Sequence, residues 1–294
     1  MSAEKLYAAM RQYGMGDWVG GGDPAAVGAQ NFASIIENLA LRRDHTVFDF
    51  GCGIGRTAAP LAEFLNEGGR LVGSDIVPRH VQFCRQQFAN FFDNTIFYCT
   101  EASNPYYDHL AMETMQATAT VEEENFFFVY RGVFDLVVAF SVFTHFDPIM
   151  VADYFTSLRD VIKPAGSLFL TWFLDHPSNP AQSRLGPDEH FRDQDGNLGL
   201  VLYSPAKVSE LATTAGLLIE RISFGYWRGW PPSTVRGQHY QDIVLLRRSP
   251  NLPSPPIEFD PARYLALHKD VAEAGSHPEE HYLFHGHKEG RRLR

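Results

Sequence analysis

Residues 47–56 read VFDFGCGIGR. An apolar run carries one acid, Asp49, and then Gly51, Gly53 and Gly55 alternate with other residues. Glycine turns tightly and lets backbone N–H groups come close to a ligand. At the carboxyl end of a strand, that is where open α/β sheets hold their ligands. Arg56 stands where a dinucleotide fingerprint wants its third glycine, so the spacing disfavours NAD. An acid just before the loop suits a cationic amine better than a pyrophosphate. Further along, LVGSDI ends a second apolar run on Asp75, whose carboxylate suits the two hydroxyls of a ribose, with Ile76 next to it for a flat base. Glu101 closes the third run, where it could accept from an amino group of that base, and Ser141 closes the fourth. Four successive strand ends thus offer groups suited to an amino acid joined to a nucleoside. For any one of them, ordinary solvated polarity is the alternative.

Groups that could move a proton come next. His145 lies just past the fourth run, and an imidazole titrates near neutral pH. It is the first candidate for a base, although a histidine there would equally cap or pack at a strand–helix junction. Asp175 and His176 end the fifth run and are second candidates, against the reading of a plain loop turn; His239 and Asp242 follow them. No spacing among these groups supports a metal site, and none is expected. Trp18, Trp227 and Trp230 lie in segments expected at the pocket mouth, as platforms for a sugar or planar substrate or as packing.

The elements that must position these residues are legible as alternating periodicities. Strand-like runs fall at 45–50, 70–75, 95–100, 134–141, 167–174, 217–225 and 242–248. The first five are continuous and apolar, as in strands covered on both faces. Amphipathic stretches at 27–41, 56–67, 78–92, 148–162 and 204–216 separate them. Asp147-Pro148 and Ser204-Pro205 mark helix starts. This alternation predicts an α/β fold, an open and mostly parallel sheet with helices on both faces. Residues 101–133, with Glu122-Glu123-Glu124 read as a solvated feature, and the polar loops 175–203 and 225–240 break the rhythm. Residues 1–27 form an approach or lid segment, 28–248 the main domain, SPNLPSPP (249–256) a linker, and 257–294 a small helical appendage. That appendage is too short to carry a large core alone.

The chain has 294 residues, 45% of them hydrophobic, and a formal net charge of -10. That length supports one large domain with an appendage. The acidic balance and the lack of a cationic run argue against nucleic-acid binding. Cys52, Cys84 and Cys99 have no metal-ligand spacing and suggest a reducing compartment. No signal peptide and no membrane span are read, so the expected location is cytoplasmic.

The combined pattern resembles the class I S-adenosylmethionine-dependent methyltransferases. VFDFGCGIGR is similar to their first motif, LVGSDI to the second-strand acid motif, GVFDLVVAFSVFTHF to the fourth-strand motif and RDVIKPAGSLFLTWF to the fifth. A glycine-rich approach, DWVGGGDPAAVGAQNF, an SVFTH segment and a final QDIV strand narrow the likeness to a bacterial subgroup, the methyltransferase type 11/12-like proteins, over roughly residues 16–248. The resemblance implies a Rossmann-like seven-stranded sheet with an antiparallel last strand and S-adenosylmethionine as cofactor. It also implies that Asp49, Gly51, Cys52, Gly53 and Gly55 hold the methionine moiety, Asp75 and Ile76 the ribose and adenine, and Glu101 and Ala102 flank the adenine. The family often has Asp where Glu101 stands. The stretch Phe140-Ser141-Val142-Phe143 departs from the Asn/Asp-Pro-Pro-aromatic pattern of amino-methyltransferases acting on nucleobases or amides, and a neutral or modestly charged small acceptor fits better. Residues 257–294 resemble a module found beside bacterial polysaccharide glycosyltransferases. That likeness accounts for His281, His285 and His287 without a metal, and the module could also meet a protein partner. The implied activity is methylation of a sugar hydroxyl on a surface glycan or its precursor. Methylation of a small secondary metabolite, and a non-catalytic interaction role, are the alternatives.

Overall fold

The computed structural model describes residues 2–13, 21–65, 67–101, 119–179, 189–192, 198–229, 238–253 and 258–293. Among the described residues, ten strands run β1 Thr46–Phe50, β2 Arg70–Asp75, β3 Thr95–Glu101, β4 Thr120–Glu122, β5 Phe134–Ala139, β6 Ile162–Leu174, β7 Glu189–Arg192, β8 Leu198–Tyr203, β9 Leu217–Ser223 and β10 Asp242–Arg248. The main path is β4-β3-β2-β1-β5-β6-β10-β9. From β4 to β6 every pairing is parallel, and β10 is antiparallel to both neighbours. The Rossmann-like α/β expectation therefore holds, antiparallel last strand included. The strand count does not: β4 extends the edge beyond β3, and β7 and β8 add a hairpin on the end of β6. Both additions lie in segments expected as loops, because a three-residue strand and a short hairpin leave no periodicity to read.

The helices are α1 Ser2–Gln12, α2 Pro24–Asn38, α3 Ala58–Phe64, α4 Pro78–Phe88, α5 Glu123–Val129, α6 Pro148–Val161, α7 Pro205–Thr214, and in the tail α8 Pro261–Leu267, α9 Lys269–Glu273 and α10 Pro278–His281. Asp147 accepts from the Met150 N–H and Ser204 from the Lys207 N–H, the two caps expected from the sequence. Helix α2 starts three residues earlier than the apolar pattern suggests, because Asp23 accepts from both Ala25 and Ala26 N–H with Pro24 in the first turn. None of the described helices is long and apolar enough to cross a membrane.

Alternation along the strands splits the core in two. Phe48, Val137, Leu170 and Val244 face one layer, with Phe126, Phe143 and Trp172. Val47, Leu136, Phe169 and Ile243 face the other, which α1, α3 and α4 cover through Leu6, Met10, Leu61 and Val81. By the same parity Asp49 and Thr171 belong to the second face, where α2 also sits.

Glu123 corrects the reading of the acidic triplet as solvated. It opens α5 with its carboxylate accepting from the Tyr154 hydroxyl at 3.0 Å. Burial lifts its pKa to about 7 against that hydrogen bond. The tail packs back on the sheet edge: Phe284 stacks on Tyr98, and Arg70 on β2 pairs with Glu279 at 2.8 Å. His281 Nδ1 meets the Tyr264 hydroxyl at 3.0 Å and His287 Nδ1 donates to the Tyr282 carbonyl at 3.0 Å.

Candidate cofactor and acceptor site

The glycine loop leaves β1 with Gly51, Gly53 and Gly55 at φ of +73°, +53° and +86°. All three lie in the left-handed region that side chains avoid. Gly51 and Cys52 N–H both donate to the Ser74 carbonyl at 2.9 Å, so the loop is pinned to the end of β2. A Cβ on Gly51 would fall 2.4 Å from Val142 Cγ2, and one on Gly55 2.7 Å from the Phe88 ring. The loop is thus bare where Val142, after β5, and Phe88, at the end of α4, close on it. Cys52 is buried beneath it, and the Cys52 and Cys84 thiols both approach the Gly53 carbonyl, at 3.7 and 3.4 Å.

Two acids frame the loop. Asp49 is 2% exposed, and its Oδ2 is buried without a hydrogen-bond partner. Burial, reinforced by the charge of Asp75, pushes its carboxyl up to about 7, and Arg56 opposes this. An orphaned buried carboxylate is costly and is relieved by a cation. Asp75, at the end of β2, accepts from the Gly53 N–H at 2.8 Å and the Val77 N–H at 2.9 Å. Each carboxylate oxygen keeps a further lone pair for a ligand hydroxyl. His80, buried on α4, has Nδ1 3.6 Å from Asp75 Oδ1.

Other expected positions behave differently. The Ile76 carbonyl receives the Cys99 thiol at 3.9 Å. Glu101 is exposed, and its carboxylate takes the hydroxyl of Thr120 on β4, which turns it towards the sheet edge. Ala102, Trp18 and Trp230 lie outside the described residues.

Ser141 stands at φ +59°, the one non-glycine at positive φ among the described residues. Its N–H donates to Thr171 Oγ1 at 2.8 Å and its hydroxyl to Gln241 Oε1 at 2.9 Å. Thr171 Oγ1 donates to the same Gln241 oxygen at 2.7 Å. The Gln241 N–H in turn donates to His239 Nδ1 at 3.0 Å, so the ring proton sits on Nε2, which donates to Asn31 Oδ1 at 3.0 Å. Asn31 Nδ2 then donates to Thr57 Oγ1 at 2.8 Å, at the start of α3. Burial lowers the His239 pKa to about 4 and keeps the ring neutral. This buried chain joins the glycine-loop helix to Ser141. Asn31, Thr171 and Gln241 escaped sequence reasoning because isolated polar residues in apolar runs carry no spacing signal.

His145 ends a 3₁₀ turn over Phe143–His145, and its Nδ1 faces the Gly199 carbonyl of β8. A carbonyl only accepts, so the proton is on Nδ1 and the lone pair on Nε2. Burial lowers its pKa, so the ring is neutral near pH 7. His176 serves a turn: its Nδ1 accepts from the Ser178 N–H at 3.1 Å, and its ring centroid lies 4.5 Å from that of Phe224. Asp175 is held between the Tyr203 carbonyl, through its own N–H, and Asn179. Asp242 is wholly buried against Arg228 and also accepts from Leu174 and Gly225 N–H and from Trp227 Nε1. It is an anchor for the 224–228 turn rather than a base. The Trp227 indole is correspondingly tethered at 3.0 Å, edge-on to Phe173 and under the Arg228 guanidinium. No group of three His, Cys, Asp or Glu among the described residues is arranged to hold a metal.

A Rossmann-like sheet with a glycine loop after its first strand and acids near the ends of its first two strands sets these groups in the crevice where open α/β sheets bind nucleotide-like ligands. The family model described as a methyltransferase domain matches residues 28–239, and the chain belongs to that family. Among solved structures, it is similar to the PH0226 protein from Pyrococcus horikoshii OT3 at a TM-score of 0.51 and 14% identity, covering 82% of this chain and 99% of that one. It is also similar to the Burkholderia thailandensis 1,6-didemethyltoxoflavin-N1-methyltransferase, crystallised with 1,6-didemethyltoxoflavin and S-adenosylhomocysteine. There the TM-score is 0.50 with 15% identity, covering 83% of this chain and 85% of that one. At such identity these likenesses concern the fold.

Proposed function

We propose that this methyltransferase-family chain uses S-adenosylmethionine to methylate a hydroxyl of a sugar, on a surface glycan or its precursor. The observation that carries the cofactor assignment is the buried, unpartnered Asp49 Oδ2 beside three left-handed glycines. The ligand's amino-acid ammonium would compensate that charge, the tight left-handed turns at Gly51, Gly53 and Gly55 would let the loop backbone pass close to its amino-acid end, and Asp75 would accept from the ribose. Ile76 would lie against the adenine, and Glu101 would reach it only by leaving Thr120. The bound cofactor supplies a methyl group already activated on a cationic sulfur. The chain's own work is then alignment and removal of one proton. The acceptor oxygen forms the new bond to the methyl carbon, the carbon–sulfur electron pair stays on sulfur, and the hydroxyl proton departs. His145 is the proposed recipient: its tautomer leaves Nε2 as the basic nitrogen, and the ring is neutral at working pH.

The sugar assignment is supported by the tail's resemblance to a module found beside polysaccharide glycosyltransferases. A second reading, a small apolar acceptor, is favoured by Ile149 and Leu200, 73% and 40% exposed, which flank the His145 turn in sequence and across β8. The test has two stages. Titration calorimetry with S-adenosylhomocysteine should show binding, and its absence would overturn the enzyme reading. Methyl transfer would then be profiled across sugar nucleotides, oligosaccharides and phenols. Turnover of phenols alone would sink the glycan assignment.

A further inference from the structure

Gln241 has a carboxamide whose two ends do different work. Its Oε1 accepts from both the Ser141 hydroxyl and Thr171 Oγ1. Thr171 Oγ1 also accepts from the Ser141 N–H, and its proton has Gln241 Oε1 at 2.7 Å, well inside the 3.5 Å to the Ala139 carbonyl. With Oε1 meeting both hydroxyls, Nε2H₂ is turned away from them. No group among the described residues accepts from Nε2, and Nε2 is not among the buried atoms that lack a partner. It is an unpartnered donor pair that keeps some solvent exposure, on a residue only 6% exposed.

Its place in the fold says which space. Asp242 pairs with Trp172, so Gln241 sits where β10 begins, at the carboxyl end of β6. Ser141, at the carboxyl end of β5, is followed by Val142, which closes on the bare face of Gly51. Gln241 is therefore hydrogen-bonded to Ser141, whose neighbour Val142 adjoins the glycine loop. The cost of Ser141 at φ +59° is met by the bonds that also orient Gln241, and backbone strain of this kind collects at functional sites. His239 supports the arrangement from behind, with its Nδ1 fixed as acceptor for the Gln241 N–H.

We infer that Gln241 is an acceptor-binding residue whose Nε2H₂, held in orientation by Ser141 and Thr171, donates to an oxygen of a hydroxyl-bearing methyl acceptor. His239 acts through it, as a positioning residue. The inference rests on the S-adenosylmethionine reading above and adds the residue that faces the reacting centre.

The test needs no knowledge of the acceptor. Sinefungin carries an amine where the sulfonium methyl would be, whereas S-adenosylhomocysteine carries nothing there. Both would be titrated into the full chain as wild type, Gln241→Glu and Gln241→Met. If the carboxamide faces the reacting centre, Gln241→Glu sets a carboxylate near the amine and should improve the sinefungin-to-S-adenosylhomocysteine affinity ratio about tenfold. Gln241→Met should leave S-adenosylhomocysteine affinity within about twofold, since it removes no cofactor contact. An unchanged ratio in a folded Gln241→Glu protein that still binds S-adenosylhomocysteine would overturn this inference alone. Wild type that binds neither ligand would overturn the cofactor reading with it. Should Gln241→Glu fail to fold, the side-chain amide resonances of glutamine-labelled wild type decide, with Gln241 assigned by its loss in Gln241→Met, or by single-site labelling if that variant fails too. A Gln241 shift with sinefungin distinct from that with S-adenosylhomocysteine supports the inference, and identical shifts overturn it.

Discussion

Asp75 Oδ2 accepts the Gly53 N–H at 2.8 Å, while Asp49 Oδ2, on the adjacent strand, accepts nothing. One acid is employed by the loop and the other is, on the proposed reading, the one that meets a ligand. The two roles lead to different expectations for the two carboxylates.

Asp75→Ala removes both the proposed ribose contact and the tether on Gly53. Loss of a charge-assisted hydrogen bond should weaken S-adenosylhomocysteine binding by roughly 1–3 kcal/mol. Asp75→Asn keeps one acceptor oxygen and should fall between. Calorimetry on the folded variants checks this, and unchanged affinity would remove Asp75 from the site.

Asp49 should make binding depend on pH. Its carboxyl, lifted by burial and by Asp75 to about 7, is largely protonated in the free protein below that value. A ligand ammonium selects the ionised form, so binding releases a proton as pH falls below about 7. Affinity should rise about tenfold per pH unit up to about 7 and level off above it. The same shift sets a stability trend with a definite sign. A carboxyl raised above its unfolded value favours the folded state at low pH. That contribution is complete below about 4 and is lost as pH rises through about 7. Asp49→Asn should therefore raise the melting temperature of the free protein at pH 8, flatten this pH trend, and bind S-adenosylhomocysteine poorly at every pH. Calorimetry in buffers of differing ionisation enthalpy reads the proton directly.

Gly51 admits no side chain for two separable reasons, its φ of +73° and the 2.4 Å approach of Val142 Cγ2. Gly51→Ala should cost on the order of 1–3 kcal/mol of stability and abolish detectable S-adenosylhomocysteine binding. Adding Val142→Ala clears the contact but not the dihedral, so the double variant should recover part of the stability. Full recovery would mean that the dihedral carries no strain, and no recovery would mean that the contact does not matter. Thermal unfolding of the three variants separates these outcomes.

How much of this was legible in the sequence depends on whether a residue's role is local. Asp49, the glycines and Asp75 announce themselves because a strand end, a tight turn and an acid lie within a few residues of one another. The caps at Asp147 and Ser204 are local as well, and both form. Gln241, Thr171 and Asn31 are brought together from β10, β6 and α2, and nothing in their own neighbourhoods marks them. Asp242 was visible as an acid near the last strand, but its partner Arg228 and its three N–H donors are supplied by folding, which makes it an anchor. The hairpin of β7 and β8 was hidden in a polar loop, yet β8 supplies the Gly199 carbonyl that sets the His145 tautomer. Glu123 was read with its acidic neighbours, and only Tyr154 on α6 distinguishes it.

The tail is proposed to be a structural part of the domain rather than an independent unit. Its Phe284 covers Tyr98, Tyr282 lies against Phe128, Glu258 pairs with Arg131, and Glu279 is buried against Arg70. Burial alone would raise the Glu279 carboxyl, but His277 and Arg70 outweigh it and hold the pKa at about 2. A depressed carboxyl stabilises the fold above its unfolded value and loses that contribution as pH falls from about 4.5 towards 2. Arg70→Ala leaves the carboxylate buried without its cation. This should cost on the order of 2 kcal/mol, less than a fully enclosed pair because Arg70 is partly exposed and His277 remains. Glu279→Gln should be milder and should flatten the acid limb of the stability curve. Truncation after residue 253 would uncover Tyr98 and Phe128, so the shortened chain should melt lower by several degrees and bind an apolar dye. A truncated protein with unaltered melting temperature and unaltered S-adenosylhomocysteine affinity would show instead that the tail is an accessory held on the surface.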